Sequence, residues 1–500
     1  MIVETPYGRV RGVERDGVAA FKGIRYARAD RYALPRAPQS WSGVADALDF
    51  GPSCPQRNQQ RPGRQASVAE EPWGQKQSED CLFLNIWTGW RPGEPLRPVM
   101  LWLHGGGFGV GSASAPLFDG ARLAGGHDVV MASLNHRLGA FGFLMLDDAP
   151  ANLGLLDIVA GLEWLRDAIA AFGGDPERIM LFGESGGGLK IISLLAMPAA
   201  QGLFHRAAVQ SGASLRMREP AEGREVADRL AAALGLPGAS RAALLAVEPE
   251  RLVAAATEAA RAGPSRAPGF PNAFTPVVDG TVIPAHPFDP VAPAISAHVP
   301  LLIGYNNTEA TYFSKLGFGP TDLDMTMDGL RERLARVLRA SLDPVVSAFA
   351  KAYPALSPWD LYIRIFTEFP SGLFARTVAG RRAAIPGSAP TFLYRFDWET
   401  PRMGGHARAP HMIEMPFVFD NIAIAERMTG DAPEAFALAT LVSAAWAEFA
   451  RSGVPAASGL PDWPAARGDA PLLMALDTRC HVERAFAPEL DRLLASALDN

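Results

Sequence analysis

Short apolar runs that stop at glycine alternate along the chain with longer stretches of helical periodicity. Positions 98–103 (PVMLWL) and 128–134 (DVVMASL) have strand length and lack the polar alternation of a half-solvated strand, which predicts strands buried on both faces. Between 155 and 172 the apolar residues Leu155, Leu156, Val159, Leu162, Leu165 and Ile169 recur at helical spacing, and Gly173-Gly174 supplies the stop. A further buried run at 178–182 turns at the glycines of 183–188 into an apolar, helix-like stretch at 189–197. Strand signals return at 207–210, 300–303 and 391–396, and the Ala- and Arg-rich stretches 221–262 and 328–353 read as helical insertions. Strands alternating with helices predict an α/β fold with a mostly parallel sheet covered on both faces. No repeat of 20–50 residues and no linker rich in Pro, Gly or Ser divides the chain, despite a loop-like region at 57–77. Residues 1–500 therefore read as a single α/β domain with lid- or pocket-forming insertions near 215–300 and 310–390.

Composition narrows the function more than the fold. With 48% hydrophobic and 20% charged residues, the chain has the material for a large core and none of the signature of disorder. Lys+Arg 47 against Asp+Glu 53 gives −6, without a basic block, so nucleic acid is not an expected partner. No apolar run reaches the ~18 residues of a membrane span, and the stretch at 191–197 is closed by Pro198. The first residues (MIVETPYGRV) are strand-like rather than a charged segment followed by an apolar one, so a bacterial-type cytoplasmic protein is the expectation. The residues leave the oligomeric state open, with a monomer favoured. Three cysteines are too few for a disulfide scaffold and lack zinc-ligand spacing; Cys54 and Cys81 read as thiols, with a pairing between them left open, and Cys480 as an odd structural residue.

The chemistry starts at Gly183-Glu184-Ser185-Gly186-Gly187, a G-x-S-x-G between a predicted strand and a predicted helix. A strand reversing into a helix within a few residues forces the central serine into strained geometry and presents it at the carboxyl end of the sheet. The plainer alternative is a tight turn whose serine only caps the helix. A serine nucleophile needs a base, and of nine histidines only His406, His411 and His481 lie well downstream, as the chain order nucleophile, acid, histidine requires. His411 and His406 both remain open on that ground. For the acid, Glu309 follows the predicted strand at 300–303, with Asp279 and Glu414 as competitors. After the strand at 98–103 comes His104-Gly105-Gly106-Gly107, where backbone N–H groups can face a substrate oxygen that any Cβ would obstruct. A phosphate loop would open directly into a helix, and this segment continues Phe108-Gly109-Val110-Gly111 instead.

These residues resemble the type-B carboxylesterase family, which includes the cholinesterases and bacterial para-nitrobenzyl esterases. The likeness runs over nearly the whole chain: FKGIRYA at 21–27, EDCLFLN at 79–85, NHRLG at 135–139, FGGDP at 172–176, FGES at 182–185, QSG at 210–212, PVVDG at 276–280 and WAEFARSG at 446–453. It implies an α/β-hydrolase fold with a gorge-like pocket and a serine carboxylesterase, acting on small to medium esters through an acyl-enzyme, with no metal or organic cofactor. By the same likeness Ser185 is the nucleophile, Glu309 the acid, His411 (of HMIEMPFVF) the base, and Gly106, Gly107 and Gly186 the oxyanion donors. A hydrolase of carbamates, amides or thioesters would use the same machinery, and a silent adhesion module is the rival of another class. The chain departs from the family pattern at Gly186, where alanine is usual, at Thr308, where Asp is usual, and at Ala310, where Gly is usual. Cys54 and Cys81 match a cysteine pair that secreted relatives join, and Trp73 is expected to line the pocket.

Overall fold

The computed structural model describes residues 1–57, 76–263, 273–313, 323–468 and 471–498; Trp73 and most of the 57–77 stretch lie outside them. The described strands are β1 (Ile2–Thr5), β2 (Gly8–Arg11), β3 (Val13–Arg15), β4 (Val18–Arg25), β5 (Val44–Asp46), β6 (Phe83–Thr88) and β7 (Arg97–Leu103). They continue with β8 (Val130–Leu134), β9 (Gly174–Glu184), β10 (Arg206–Gln210), β11 (Leu301–Asn306), β12 (Thr391–Phe396), β13 (Leu472–Leu476) and β14 (His481–Arg484). Eleven of them form one sheet in the order β14-β13-β12-β11-β10-β9-β7-β8-β6-β4-β3, and β1, β2 and β5 form a small second sheet. From β8 through β13 every neighbouring pair is parallel. The wings β6-β4-β3 and β14 are antiparallel.

The uninterrupted apolar runs follow from this layering. Along β7, Val99, Leu101 and Leu103 join one core cluster with Leu155, Ile158, Leu162 and Leu165 of the helix Leu153–Ala168. Met100 and Trp102, pointing the other way, join a second cluster with Leu438, Val442, Trp446 and Phe449 of the helix Pro433–Ser452. Both faces of the central strands are thus covered by helices, and a polar residue would be costly on either.

The stretch 221–262 forms the helices Pro220–Leu234, Arg241–Leu245 and Pro249–Ala262, the first closed at its start by a Glu219/Glu222 capping box and at its end by Gly235 in the left-handed region. The later stretch forms Met327–Leu338, Leu342–Ala352 and Pro358–Thr367, which bury a core of their own with Leu490 and Leu494 from the helix Pro488–Ser496. The parallel strands point their carboxyl ends to one edge, where β7, β9, β11 and the segment after β12 deliver the residues of interest.

Candidate active site

Ser185 ends β9 and begins the helix Gly186–Leu194 with φ 54 and ψ −117. This conformation is strained for a residue with a side chain, and it persists because the neighbours hold it: Ser185 N donates to Gln210 O of β10, and its carbonyl accepts from Leu189 N. At Gly186 an added Cβ would stand 2.1 Å from Gly107 O, so the loop after β7 packs directly on the turn and the departure from alanine is a steric fit. Gly106 has φ +82 and an added Cβ there would meet Val110 O at 2.4 Å, which accounts for the glycines in that loop.

Glu309 follows β11 at the start of the short helix Ala310–Phe313. Its Oε1 accepts from Asn306 N at 2.8 Å, and its Oε2 accepts from His411 Nδ1 at 2.5 Å. The loops carrying these two residues are laced together: Ala409 N donates to Thr308 Oγ1 and Thr308 N to Ala409 O, while Thr311 Oγ1 donates to Ala407 O. Thr308, unusual for the resemblance, therefore fixes the spacing between the acid and the histidine. The rings of Phe313 and Tyr312 lie 5.0 and 5.6 Å from the His411 ring; the stretch 314–318 that follows is outside the described residues.

The geometry also sorts the competitors. His406 and His481 are exposed. Asp279 accepts from the backbone N–H groups of Thr281, Val282 and Ile283 and shapes a turn. Glu414 accepts from Asn306 Nδ2 at 2.6 Å, one step behind Glu309.

One contact differs from expectation. No hydrogen bond among the described residues joins Ser185 Oγ to His411; the imidazole Nε2 lies 3.0 Å from Oε1 of Glu184, the residue before the serine. Glu184 is legible in the sequence only as the variable position of G-x-S-x-G, and its burial at the end of β9 is what brings it to the histidine. Burial pushes the Glu184 carboxyl well above the usual range; His411 opposes this, while Glu414 and Glu309 add to it. Burial would depress the His411 imidazole, but Glu184 and then Glu309 outweigh it and push it up to about 9. The pair shares protons, so its titration belongs to both groups. Cys54 and Cys81 are buried free thiols, and Cys54 Sγ accepts from Leu138 N.

A family model described as the carboxylesterase family matches residues 1–491. The chain belongs to the carboxylesterase family. It is 36% identical to the para-nitrobenzyl esterase of Bacillus subtilis (strain 168), covering 96% of each chain, and 34% identical to the phenmedipham hydrolase of Pseudarthrobacter oxydans, covering 97% of each. The solved structure of a Geobacillus stearothermophilus carboxylesterase at pH 6.2 superimposes with a TM-score of 0.84 at 35% identity over 99% of each chain. The expected α/β-hydrolase fold is thereby shown, and with it the activity: this carboxylesterase is a serine hydrolase of small-molecule carboxylic esters. Among the described residues no helix is long and apolar enough to cross a membrane.

Proposed function

We propose that Ser185 is the nucleophile, His411 the general base, Glu309 the carboxylate that orients it, and the amides of Gly106, Gly107 and Gly186 the oxyanion donors. The observation that carries this reading is the 2.5 Å bond from His411 Nδ1 to Glu309, made by an imidazole that also reaches Glu184, the residue before a serine in strained backbone geometry. In the neutral imidazole that bond fixes the tautomer, leaving Nε2 without a proton and able to accept one.

For catalysis the ring turns Nε2 from Glu184 toward Ser185 Oγ. Ser185 then attacks the acyl carbon while Nε2 takes its proton, and the carbonyl oxygen becomes an oxyanion held by the glycine amides. The bond to the alcohol breaks as His411 returns the proton to the leaving oxygen. Water repeats the two steps, releasing the acid and restoring Ser185. Each backbone donor contributes about a hundredfold or more in rate. Aryl and benzyl esters of short acids are the first substrates to assay, given the name of the para-nitrobenzyl esterase relative. The test is turnover of p-nitrophenyl butyrate together with labelling by a fluorophosphonate. A Ser185→Ala protein that kept its turnover, or a label found on another residue, would reject the assignment.

A further inference from the structure

Lys190 lies in the helix Gly186–Leu194, five residues after Ser185, and is 0% exposed. No step of ester hydrolysis uses it. An ammonium taken out of water is unfavourable unless its hydrogens and charge find partners, so the partners of this one are informative. Its Nζ donates to the His104 carbonyl oxygen at 2.8 Å and stands 5.7 Å from the centroid of the Phe108 ring, within cation–π range. Those two residues flank Gly105-Gly106-Gly107 on either side.

A run of three glycines loses more freedom on folding than any other tripeptide, and Gly106 and Gly107 sit at φ +82 and +63. Such a loop keeps its amides aimed only if its ends are held. The Phe108 carbonyl is held by Gly139 N at 2.7 Å and the Gly106 carbonyl by Val110 N at 3.3 Å. The His104 side chain packs below, with Nδ1 on Gly105 O at 2.9 Å and the ring stacked on His136 with centroids 5.0 Å apart. Burial, then the nearby Lys190 charge, pushes His104 down to about 3, so no second cation competes for the site. Lys190 itself is pushed down to about 7 by burial, with Glu184 opposing; the bond to His104 needs only an N–H and persists in either protonation state.

We propose that Lys190 is a positioning residue: it clamps the glycine loop by both ends, through the His104 carbonyl and the Phe108 ring, and so keeps the Gly106 and Gly107 amides aimed at the oxyanion. This rests on the reading of that loop as the oxyanion hole.

The test is Lys190→Met, which keeps the length of the side chain and removes donor and charge, beside Lys190→Gln, which keeps a donor. The readouts are kcat and KM for p-nitrophenyl butyrate, the rate at which a fluorophosphonate modifies Ser185, and the melting temperature. For Lys190→Met, kcat and the modification rate are expected to fall together by about tenfold or more, with KM nearly unchanged. The melting temperature should shift little, since relief of the ammonium's desolvation offsets the donor lost by the His104 carbonyl. Lys190→Gln should recover part of the loss. Combined with Phe108→Leu, the loss should be smaller than the product of the two single losses, because both act on one loop. Values of kcat and modification rate for Lys190→Met within about threefold of the parent overturn the proposal, and if Lys190→Met does not fold, Phe108→Leu, which removes the other end of the clamp, is judged by the same limit. A parent protein that is modified at Ser185 but turns over no ester would instead reject the mechanism proposed for ester hydrolysis, and the ratio of modification rates alone would then decide the role of Lys190.

Discussion

Two carboxylates, Glu368 and Glu184, are equally buried and behave in opposite ways. Glu368 accepts from Tyr305 Oη of β11 and from Arg376 Nη1 at 2.7 Å, with Arg364 Nη2 at 3.4 Å; Arg376 donates in turn to Asp491. Burial pushes its carboxyl up, but Arg376 and Arg364 outweigh burial and hold it below the ordinary range. Among the described residues Glu184 faces only the His411 ring nitrogen, at 3.0 Å, and burial wins. Around it, among the described residues, both polar atoms of the Gln210 side chain, Ser211 Oγ, Asn306 Oδ1 and Glu414 Oε1 are buried without a hydrogen-bond partner. The partner set, not burial alone, decides whether a carboxylate is held ionised by its own cations or shares its proton with a neighbouring imidazole. A carboxylate engaged by two arginines and a tyrosine locks the insertion helices to β11, even though Arg364 Nε is left without a hydrogen-bond partner among the described residues, and the sparsely partnered cluster at the carboxyl ends of β9, β10 and β11 leaves protons free to move.

The comparison breaks most visibly on the catalytic side. Ser185→Ala is expected to lower kcat by about 10⁵-fold or more, and Glu309→Gln by about 10⁴-fold, with little change in melting temperature; steady-state kinetics and thermal unfolding of the same preparations check both. On the arginine-paired side the pattern reverses. Arg376→Met strips Glu368 and Asp491 of their shared partner and should cost about 3–5 kcal/mol of stability, read by denaturant unfolding, while the folded fraction keeps its kcat. A variant of Arg376 that lost activity without losing stability would place the two networks in one functional unit and end the distinction.

Much of this is legible in the sequence because the central strands leave no ambiguity. Runs buried on both faces, such as 98–103 within β7 and 301–303 within β11, are apolar, and the glycines that follow β7 and β9 mark where the backbone must approach another segment. The family resemblance selects His411 over His406 and Glu309 over Glu414, which spacing alone does not do, since both pairs fall on one loop or on one cluster. The antiparallel wings are less legible. β3 and β14 are three and four residues long and largely exposed, so they carry no buried pattern. Glu184 and Lys190 escape a sequence reading for another reason: a charged residue inside a motif reads as solvated by default, and only a fold that buries it shows that it has work at the site.

The smallest expected effect sharpens the comparison most. The active base form of His411 is the neutral imidazole, and its pKa is pushed up to about 9, so kcat/KM should rise with pH through about 9 and level off above it. Glu184 is the largest of the upward pushes. Glu184→Gln keeps the size of the side chain and removes its charge, so the rising limb should move down toward the ordinary imidazole value of 6.5, with a modest change in the plateau. The stability linkage has the same sign. A histidine raised in the folded state contributes stability that is complete below 6.5 and is lost as pH rises through about 9, and the substitution should narrow that window. The matching exchange Glu368→Gln removes a charge just as buried, yet its partners are arginines remote from the proton transfer; it should lower stability and leave the limb where it was. Profiles of the two variants on a non-ionising ester decide the matter. If Glu184→Gln leaves the limb unmoved, the carboxylate beside Nε2 is no part of the proton balance, and its lack of partners would need another cause.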